Sequence, residues 1–303
     1  MQQFYSNGKL LITGEYVVLD GAKAFALPTK YGQYLTVFEG KNKIISWKSY
    51  DLDKSCWFET EITFDAIVSK KKIHYSQKTE STLLEILRVA DRLNPNLLAN
   101  SDGFDVTTTL TFDRNWGLGT SSTVINNIAQ WFKVDAFELL KNSFGGSGYD
   151  IACAQKSGPI VYHLKNGMPI INEISFCPSL TNCIYFVYLN QKQNSKAAIE
   201  NYRKNNTVAL DTIDKIDKIT EIIIATSNFA VFSEAVKNHE NEMSYLLNQP
   251  TVQQQLFPDF NGTIKSLGAW GGDFVLAIST ENPRNYFKLK GFTTVLSYAE
   301  MIL

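Results

Sequence analysis

Several residue groups in this chain combine a type and a spacing that could do chemistry. The first is Gly117-Leu118-Gly119-Thr120-Ser121-Ser122, a glycine-rich turn running straight into an apolar-periodic segment. Such a turn presents consecutive backbone N–H groups at a helix N-terminus, where the macrodipole adds partial positive charge. Glycines let the backbone approach an anion without a clashing Cβ, and the hydroxyls offer oxygen ligands to phosphate or magnesium. No Lys precedes the Ser pair, so the stretch is not a Walker loop. Its plainer reading is a helix N-cap.

A second group is Gly8-Lys9-Leu10-Leu11-Ile12-Thr13-Gly14-Glu15-Tyr16, with Lys9 heading an apolar strand. Lys9 could turn inward beside a site; as a lone Lys it is otherwise a surface charge. A third is Gly145-Gly146-Ser147-Gly148-Tyr149-Asp150. There a carboxylate follows a flexible turn and opens an apolar helix. It can orient or deprotonate an acceptor hydroxyl, or simply complement the helix dipole. The last is Lys265-Ser266-Leu267-Gly268-Ala269-Trp270-Gly271-Gly272-Asp273, which reads as a loop before a strand. Its glycine density implies a close backbone approach to a ligand or another segment.

The elements that must position these residues follow from periodicity. Strand patterns cover Lys9–Thr13, Tyr16–Leu19, Tyr34–Phe38, Ile44–Trp47, Trp57–Phe64 and Phe104–Leu110. A helix is expected over Ser81–Leu93, with Ser81 as N-cap and Leu83, Leu84, Leu87 and Ala90 on one face. Val124, Ile128 and Phe132 repeat at helical spacing after the first glycine-rich turn, and a further helix covers Ala136–Asn142. Beyond Pro159, strands are expected at Ile160–His163, Ile184–Leu189 and Phe274–Ile278, and helices over Lys196–Asn205, Val208–Ala225 and Phe229–Asn238. Strands and helices mixed without regular βαβ alternation indicate an α+β chain. The boundary between halves falls in 156–170, giving domains 1–165 and 166–303.

Composition narrows the classes. The 303 residues carry a formal net charge of -1, without the basic excess of a nucleic-acid binder. Lys70-Lys71-Lys72 is read as a solvated loop or strand end. No apolar run is long enough to span a bilayer, and Met1–Ser6 does not open like a signal peptide. Cys56, Cys153, Cys177 and Cys183 form no C-x-x-C pair and no metal-ligand spacing, so reduced thiols and a cytoplasmic location are expected.

Taken in order, the G-K-x-x-x-x-G-E of Gly8–Glu15, the G-L-G-x-S-S of Gly117–Ser122 and the G-A-x-G-G-D of Gly268–Asp273 resemble the GHMP kinase superfamily over nearly the whole chain. The triplet Gly14-Glu15-Tyr16 and the run Gly146–Ala152 are similar to the mevalonate-pathway branch, phosphomevalonate kinases in particular. Asn190–Ser195 resembles that family's Lys-x-x-Ser turn.

The resemblance implies a two-domain fold, with an N-terminal ribosomal-protein-S5-like domain and a C-terminal ferredoxin-like domain. It also implies ATP and Mg2+ as cofactors and a small-molecule acceptor as partner, in a monomer or homodimer that binds neither nucleic acid nor membrane. Phosphomevalonate or mevalonate is the implied acceptor, in isoprenoid biosynthesis. A sugar or homoserine kinase, a diphosphomevalonate decarboxylase and a non-catalytic binding protein are the alternatives.

By the same resemblance, Gly117, Leu118, Gly119, Thr120, Ser121 and Ser122 would wrap the ATP phosphates, with Ser121 as magnesium ligand. Asp150 would be the acceptor-orienting base, with Lys9 beside it. Glu15, Tyr16, Lys192 and Ser195 would serve the acceptor, and Gly271, Gly272 and Asp273 would close the cleft. Three positions depart from the pattern. Asp113 stands where a Pro is usual, Trp270 replaces a Gly, and Leu139 occupies the place of a metal-binding Glu of mevalonate kinases, with Glu138 out of register.

Overall fold

A computed structural model of the chain describes residues 1–69, 77–176, 178–192, 195–205 and 210–303. The Lys70–Lys72 run, Cys177 and the start of the helix expected from Val208 lie outside these residues, as do Gln193 and Asn194 of the Lys-x-x-Ser turn. The chain forms two compact units that interleave along the sequence. One gathers Met1–Gly8, Tyr31–Arg114 and Leu118–Gln155; the other gathers Lys9–Lys30, Asn115–Gly117 and Lys156–Leu303.

Two long strands, β1 (Gln2–Leu11) and β2 (Ala24–Glu39), contribute to both units. In the first unit they are joined by β3 (Ile44–Tyr50), β4 (Cys56–Thr63) and β5 (Phe104–Leu110). The Gln33–Glu39 part of β2 pairs antiparallel with β5, β5 pairs parallel with β3, and β3 pairs antiparallel with β4. A parallel β3–β5 pair needs a crossover, which holds helices Phe64–Val68 and Lys78–Leu93.

Alternation turns Ile45 and Trp47 of β3, and Phe104 and Val106 of β5, inward. They meet Leu84 and Leu87 of helix Lys78–Leu93, Ile125 and Ile128 of helix Thr120–Phe132, and Leu139 of helix Ala136–Ser143 in one core. Leu139 is fully buried there, so the residue standing in the place of a metal-binding Glu is a core side chain.

Local expectations are corrected at several points. Lys9 does not head its strand: β1 starts at Gln2, and Lys9 lies near its end. Ser81 is not an N-cap: the helix starts a turn earlier at Lys78, and the Ser81 hydroxyl donates back to the Gln77 carbonyl. Glu80 sits in that first turn, where the dipole favours it. Phe64 is the first residue of a helix capped by Thr63, whose side chain accepts from the Ala66 N–H. Tyr16–Leu19 is not a strand. Val17–Asp20 forms a 3-10 turn closed by Gly21 at φ 99°, and the burial of Val17 and Val18 overrides their β preference.

The second unit adds β6 (Ile160–Lys165) and β7 (Met168–Glu173), a hairpin whose two-residue turn Asn166-Gly167 has both φ angles positive. The Ala24–Ala26 part of β2 pairs with β6. A second, antiparallel sheet contains β8 (Ile184–Tyr188), β9 (Thr263–Ser266), β10 (Phe274–Ile278) and β11 (Val295–Ser297), in the order β11-β8-β10-β9. Helices Ser195–Asn205, Leu210–Ala225 and Phe229–Leu247 lie between β8 and β9 in sequence. Lys265 and Ser266, expected in a loop, belong to β9, every residue of which is buried. No helix among the described residues is long and apolar enough to cross a membrane.

Candidate functional site

In the first unit the glycine-rich turn ends in helix Thr120–Phe132, with Gly119 at φ 94° at the N-cap position. Leu118 is fully buried and anchors the turn. The Ser122 hydroxyl donates to the Gly119 carbonyl at 2.8 Å, and the Thr123 N–H donates to the same oxygen at 3.0 Å. Ser122 is therefore used to hold the helix start. Ser121, between the half-buried Thr120 and buried Ser122, is exposed at the first turn.

Asp150 is half-buried in the first turn of helix Tyr149–Gln155. Gly145, Gly146 and Gly148 precede it, all with positive φ. That helix packs on helix Thr120–Phe132, and Ile151 shares the core of Ile125 and Ile128.

In the second unit the first and last glycine-rich groups meet. Lys9 Nζ donates to the Gly117 carbonyl at 3.0 Å. Gly117 has φ 67°, and a Cβ built there would lie 2.0 Å from Asp273 Oδ2. Only a glycine leaves this room for the carboxylate. Asp273, itself at φ 48°, donates its N–H to the Gln191 carbonyl, and its own carbonyl accepts from Leu189 N–H. Lys192 follows Gln191 and is exposed. Trp116 packs edge-on against Phe274 at 5.5 Å. Lys9, Gly117, Asp273 and the turn leading to Lys192 are thus neighbours. Gly271 (φ 73°) and Gly272 complete the loop before Asp273. Ser195 begins its helix, and its side chain lies outside the described atoms.

Glu15 and Tyr16 sit deeper. Tyr16 has φ 62° and ψ −54°, and Val17 N–H donates to the Glu15 carbonyl at 2.7 Å. This is a positive-φ γ-turn, a rare and strained conformation for a bulky side chain. Such a turn persists only where its surroundings over-determine it, and here they do. The Tyr16 hydroxyl accepts from the Trp270 N–H at 2.9 Å, and its ring packs on Tyr202 at 5.3 Å. Gly14 N–H donates to His239 Nε2 at 3.0 Å. Glu15 accepts from Lys265 Nζ, which also donates to the Ser266 carbonyl at 2.7 Å.

The resulting cluster of Glu15, His239, Glu240 and Lys265 is almost wholly buried, none of its members more than 3 % exposed. Burial pushes the Glu15 carboxyl up, and the Lys265 ammonium, together with the Gly268 backbone, partly offsets this. Burial, with the Glu15 charge added, raises Glu240 to about 7, against Lys265 and the Ser266 N–H that donates to it. His239 is pushed well below its usual range by burial and by Lys265. Its Nε2 accepts from Gly14, so the proton of the neutral ring is on Nδ1, and the 3.7 Å approach to Glu15 is not an ion pair.

His239 and Glu240 escape a motif search, because they lie far from every glycine-rich stretch. One sequence signal exists: they continue the Phe232, Ala235, Val236, Met243 stripe of their helix, so the stripe that must be buried contains two titratable residues. Among the described residues no group of three or more His, Cys, Asp or Glu is arranged to hold a metal.

No family model matches the sequence, and no curated protein does. Solved structures do match. The phosphomevalonate kinase of Streptococcus pneumoniae, in complex with phosphomevalonate and AMPPNP, superposes with TM-score 0.72 at 15% identity, covering 98% of this chain and 100% of that one. The Methanococcus jannaschii mevalonate kinase gives 0.71 at 14% identity over 98% of both chains. A D-glycero-D-manno-heptose 1-phosphate kinase from Bacteroides thetaiotaomicron gives 0.69 at 14% identity, covering 99% of this chain and 95% of that one. The chain has the α+β fold of the GHMP kinases.

Proposed function

We propose that this chain is an ATP-dependent phosphotransferase acting on a small anionic acceptor, with phosphomevalonate or mevalonate as the acceptors its sequence motifs favour. The observation that carries the reading is the Gly117–Ser122 turn on a kinase fold. Positive-φ glycines lead into a helix whose start is held by Ser122 and Thr123, which leaves the Ser121 hydroxyl exposed. An anion at that end gains from oriented N–H groups and from the helix dipole. The AMPPNP in the phosphomevalonate kinase of the same fold supports ATP as donor.

In this reading the backbone and hydroxyls of Gly117, Leu118, Gly119, Thr120, Ser121 and Ser122 hold the ATP phosphates. The oxygen donors available here, Ser121 and the half-buried Asp150, suit Mg2+, which prefers hard oxygen ligands and keeps several waters. When bound with ATP, magnesium neutralises charge developing on the phosphates. The acceptor oxygen attacks the γ-phosphorus, the bond to the leaving ADP oxygen breaks, and an acceptor hydroxyl gives its proton to Asp150. With a phosphate acceptor already ionised, Asp150 orients it instead. Lys9, which donates to the first glycine's carbonyl, offsets negative charge in the transition state. Glu15 and Tyr16 shape the acceptor side through the turn they build. Lys192 and Ser195 face the acceptor's anionic group, and Gly271, Gly272 and Asp273 close over it.

Heptose 1-phosphate, named for the third neighbour, is likewise a phosphorylated acceptor, so a sugar phosphate is the second reading. The test is ADP release with mevalonate, phosphomevalonate, diphosphomevalonate, homoserine, sugars and sugar phosphates. Turnover with one of them, lost in Ser121→Ala without loss of fold, is the expected result. No MgATP binding at millimolar nucleotide would leave a ligand-binding protein on a kinase fold.

A further inference from the structure

Two adjacent asparagines sit at the centre of helix Thr120–Phe132 with no access to solvent: Asn126 is 1 % and Asn127 0 % exposed. Amides there contribute little to a hydrophobic core and must be satisfied by partners, and they are. Gln155 Nε2 donates to Asn126 Oδ1 at 2.9 Å, and Asn126 Nδ2 donates to Ser6 Oγ at 2.8 Å. Ser6 Oγ donates to Asn127 Oδ1 at 2.7 Å, and Asn127 Nδ2 donates to the Gln33 carbonyl at 2.9 Å. The Gln33 side chain then accepts from Thr123 Oγ1 at 2.7 Å.

This is one continuous chain within a single unit, buried from Asn126 onward and exposed only at its Gln155 end. It starts on the helix that carries Asp150. It runs through β1, the middle of helix Thr120–Phe132 and β2, and ends at Thr123, two residues from Ser121. From Gln155 to the Gln33 carbonyl the donors run one way and polarise one another, while Thr123 donates to the Gln33 side chain from the other end. Because the amides of Asn126 and Asn127 are bonded to Gln155, Ser6 and Gln33 on other elements, the chain favours one relative setting of the two helices, whereas apolar side chains at 126 and 127 would tolerate sliding.

We propose that Ser6, Gln33, Asn126, Asn127 and Gln155 are positioning residues that fix the Ser121-bearing helix start relative to the Asp150-bearing helix. The kinetic consequence rests on the phosphoryl-transfer reading; the mechanical one does not. Geometry errors of this kind act on turnover more than on nucleotide affinity, because near-attack alignment enters the chemical step.

The test uses Gln155→Ala at the accessible end, Thr123→Val at the far end, and the double variant. Amide hydrogen exchange of the Leu118–Thr123 segment in Gln155→Ala reads the coupling with no substrate present. An increase on the order of fivefold is expected, the equivalent of losing one net hydrogen bond, with β3–β4 amides as the unaffected control. With MgATP and the acceptor found by ADP release, each single variant should lower kcat on the order of tenfold and leave KM for MgATP within about twofold. The double variant should be no slower than the slower single by more than about twofold, whereas independent sites would multiply. Unchanged exchange at Leu118–Thr123, or multiplying effects on kcat, overturns the proposal. If the unmodified chain turns over no acceptor, the phosphotransferase reading falls alone, and the exchange measurement still decides whether the chain of hydrogen bonds couples its two ends.

Discussion

Replacing Glu240 by Gln tests the buried cluster through its pH dependence. Glu240 is 2 % exposed, faces Lys265, Glu15 and Ser266, and follows His239 in its helix. Burial pushes its carboxyl up to about 7 from an ordinary 4.5. A carboxyl raised in this way holds its proton more tightly folded than unfolded. Its stabilisation is therefore complete below about pH 4.5 and is lost as pH rises through about 7. That interval corresponds to about 3 kcal/mol by linkage.

Glu15, also raised, has the same sign, while His239, held neutral, loses stability as pH falls below its usual range. Both remain in Glu240→Gln, so the difference between variant and parent isolates position 240 to first order. The Gln carbonyl keeps the acceptor for Ser266 N–H and cannot ionise. Relative to the parent, the variant should gain stability from pH 5 to pH 8, by roughly 5 °C in Tm for a chain of this size. Melting both proteins across pH 5–8.5 measures it. A difference that is flat, or that falls as pH rises, would refute a proton-holding carboxyl in the cluster.

Three further changes probe the rest. Lys265→Met leaves Glu15 buried without its cation and should cost about 3–5 kcal/mol in a urea unfolding series; a loss under about 1 kcal/mol would mean that the pair is solvated. Gly117→Ala must adopt a left-handed backbone at about 1–2 kcal/mol and displace the Asp273 carboxylate. Its stability should fall together with MgATP affinity, and a neutral result would disconnect Asp273 from the turn. Asp150→Asn should lower turnover by on the order of 10²–10⁴-fold with MgATP affinity unchanged, and intact turnover would leave Asp150 as a dipole partner only.

The local elements were largely legible. Strand Phe104–Leu110 and the helices ending at Leu93 and starting at Ala136 are set by period and by flanking turn residues, which act within a few positions. The glycine-rich stretches were legible too, since a positive φ at Gly119, Gly145, Gly146 or Gly271 is a demand that the residue type itself announces. Helix ends were less so: Ser81 has the chemistry of a cap, but the helix already starts at Lys78, because Lys78, Thr79 and Glu80 continue it upstream of Ser81.

What the sequence could not decide is where charge is buried. Lys265 becomes a core residue only because Glu15, 250 positions earlier, meets it. His239 and Glu240 join them from a helix whose pattern shows only that the face is covered, not by what. The Tyr16 γ-turn is invisible locally, since an aromatic residue gives no sign of a positive φ; the contacts from His239, Lys265 and Trp270 hold it there. Asn126 and Asn127 likewise read as polar interruptions of a helix until Ser6, Gln33 and Gln155 surround them. Periodicity, caps and turns are fixed by interactions within a few residues of each other. The partner that makes a buried charge or amide tolerable comes from anywhere in the chain, and only the tertiary structure supplies it.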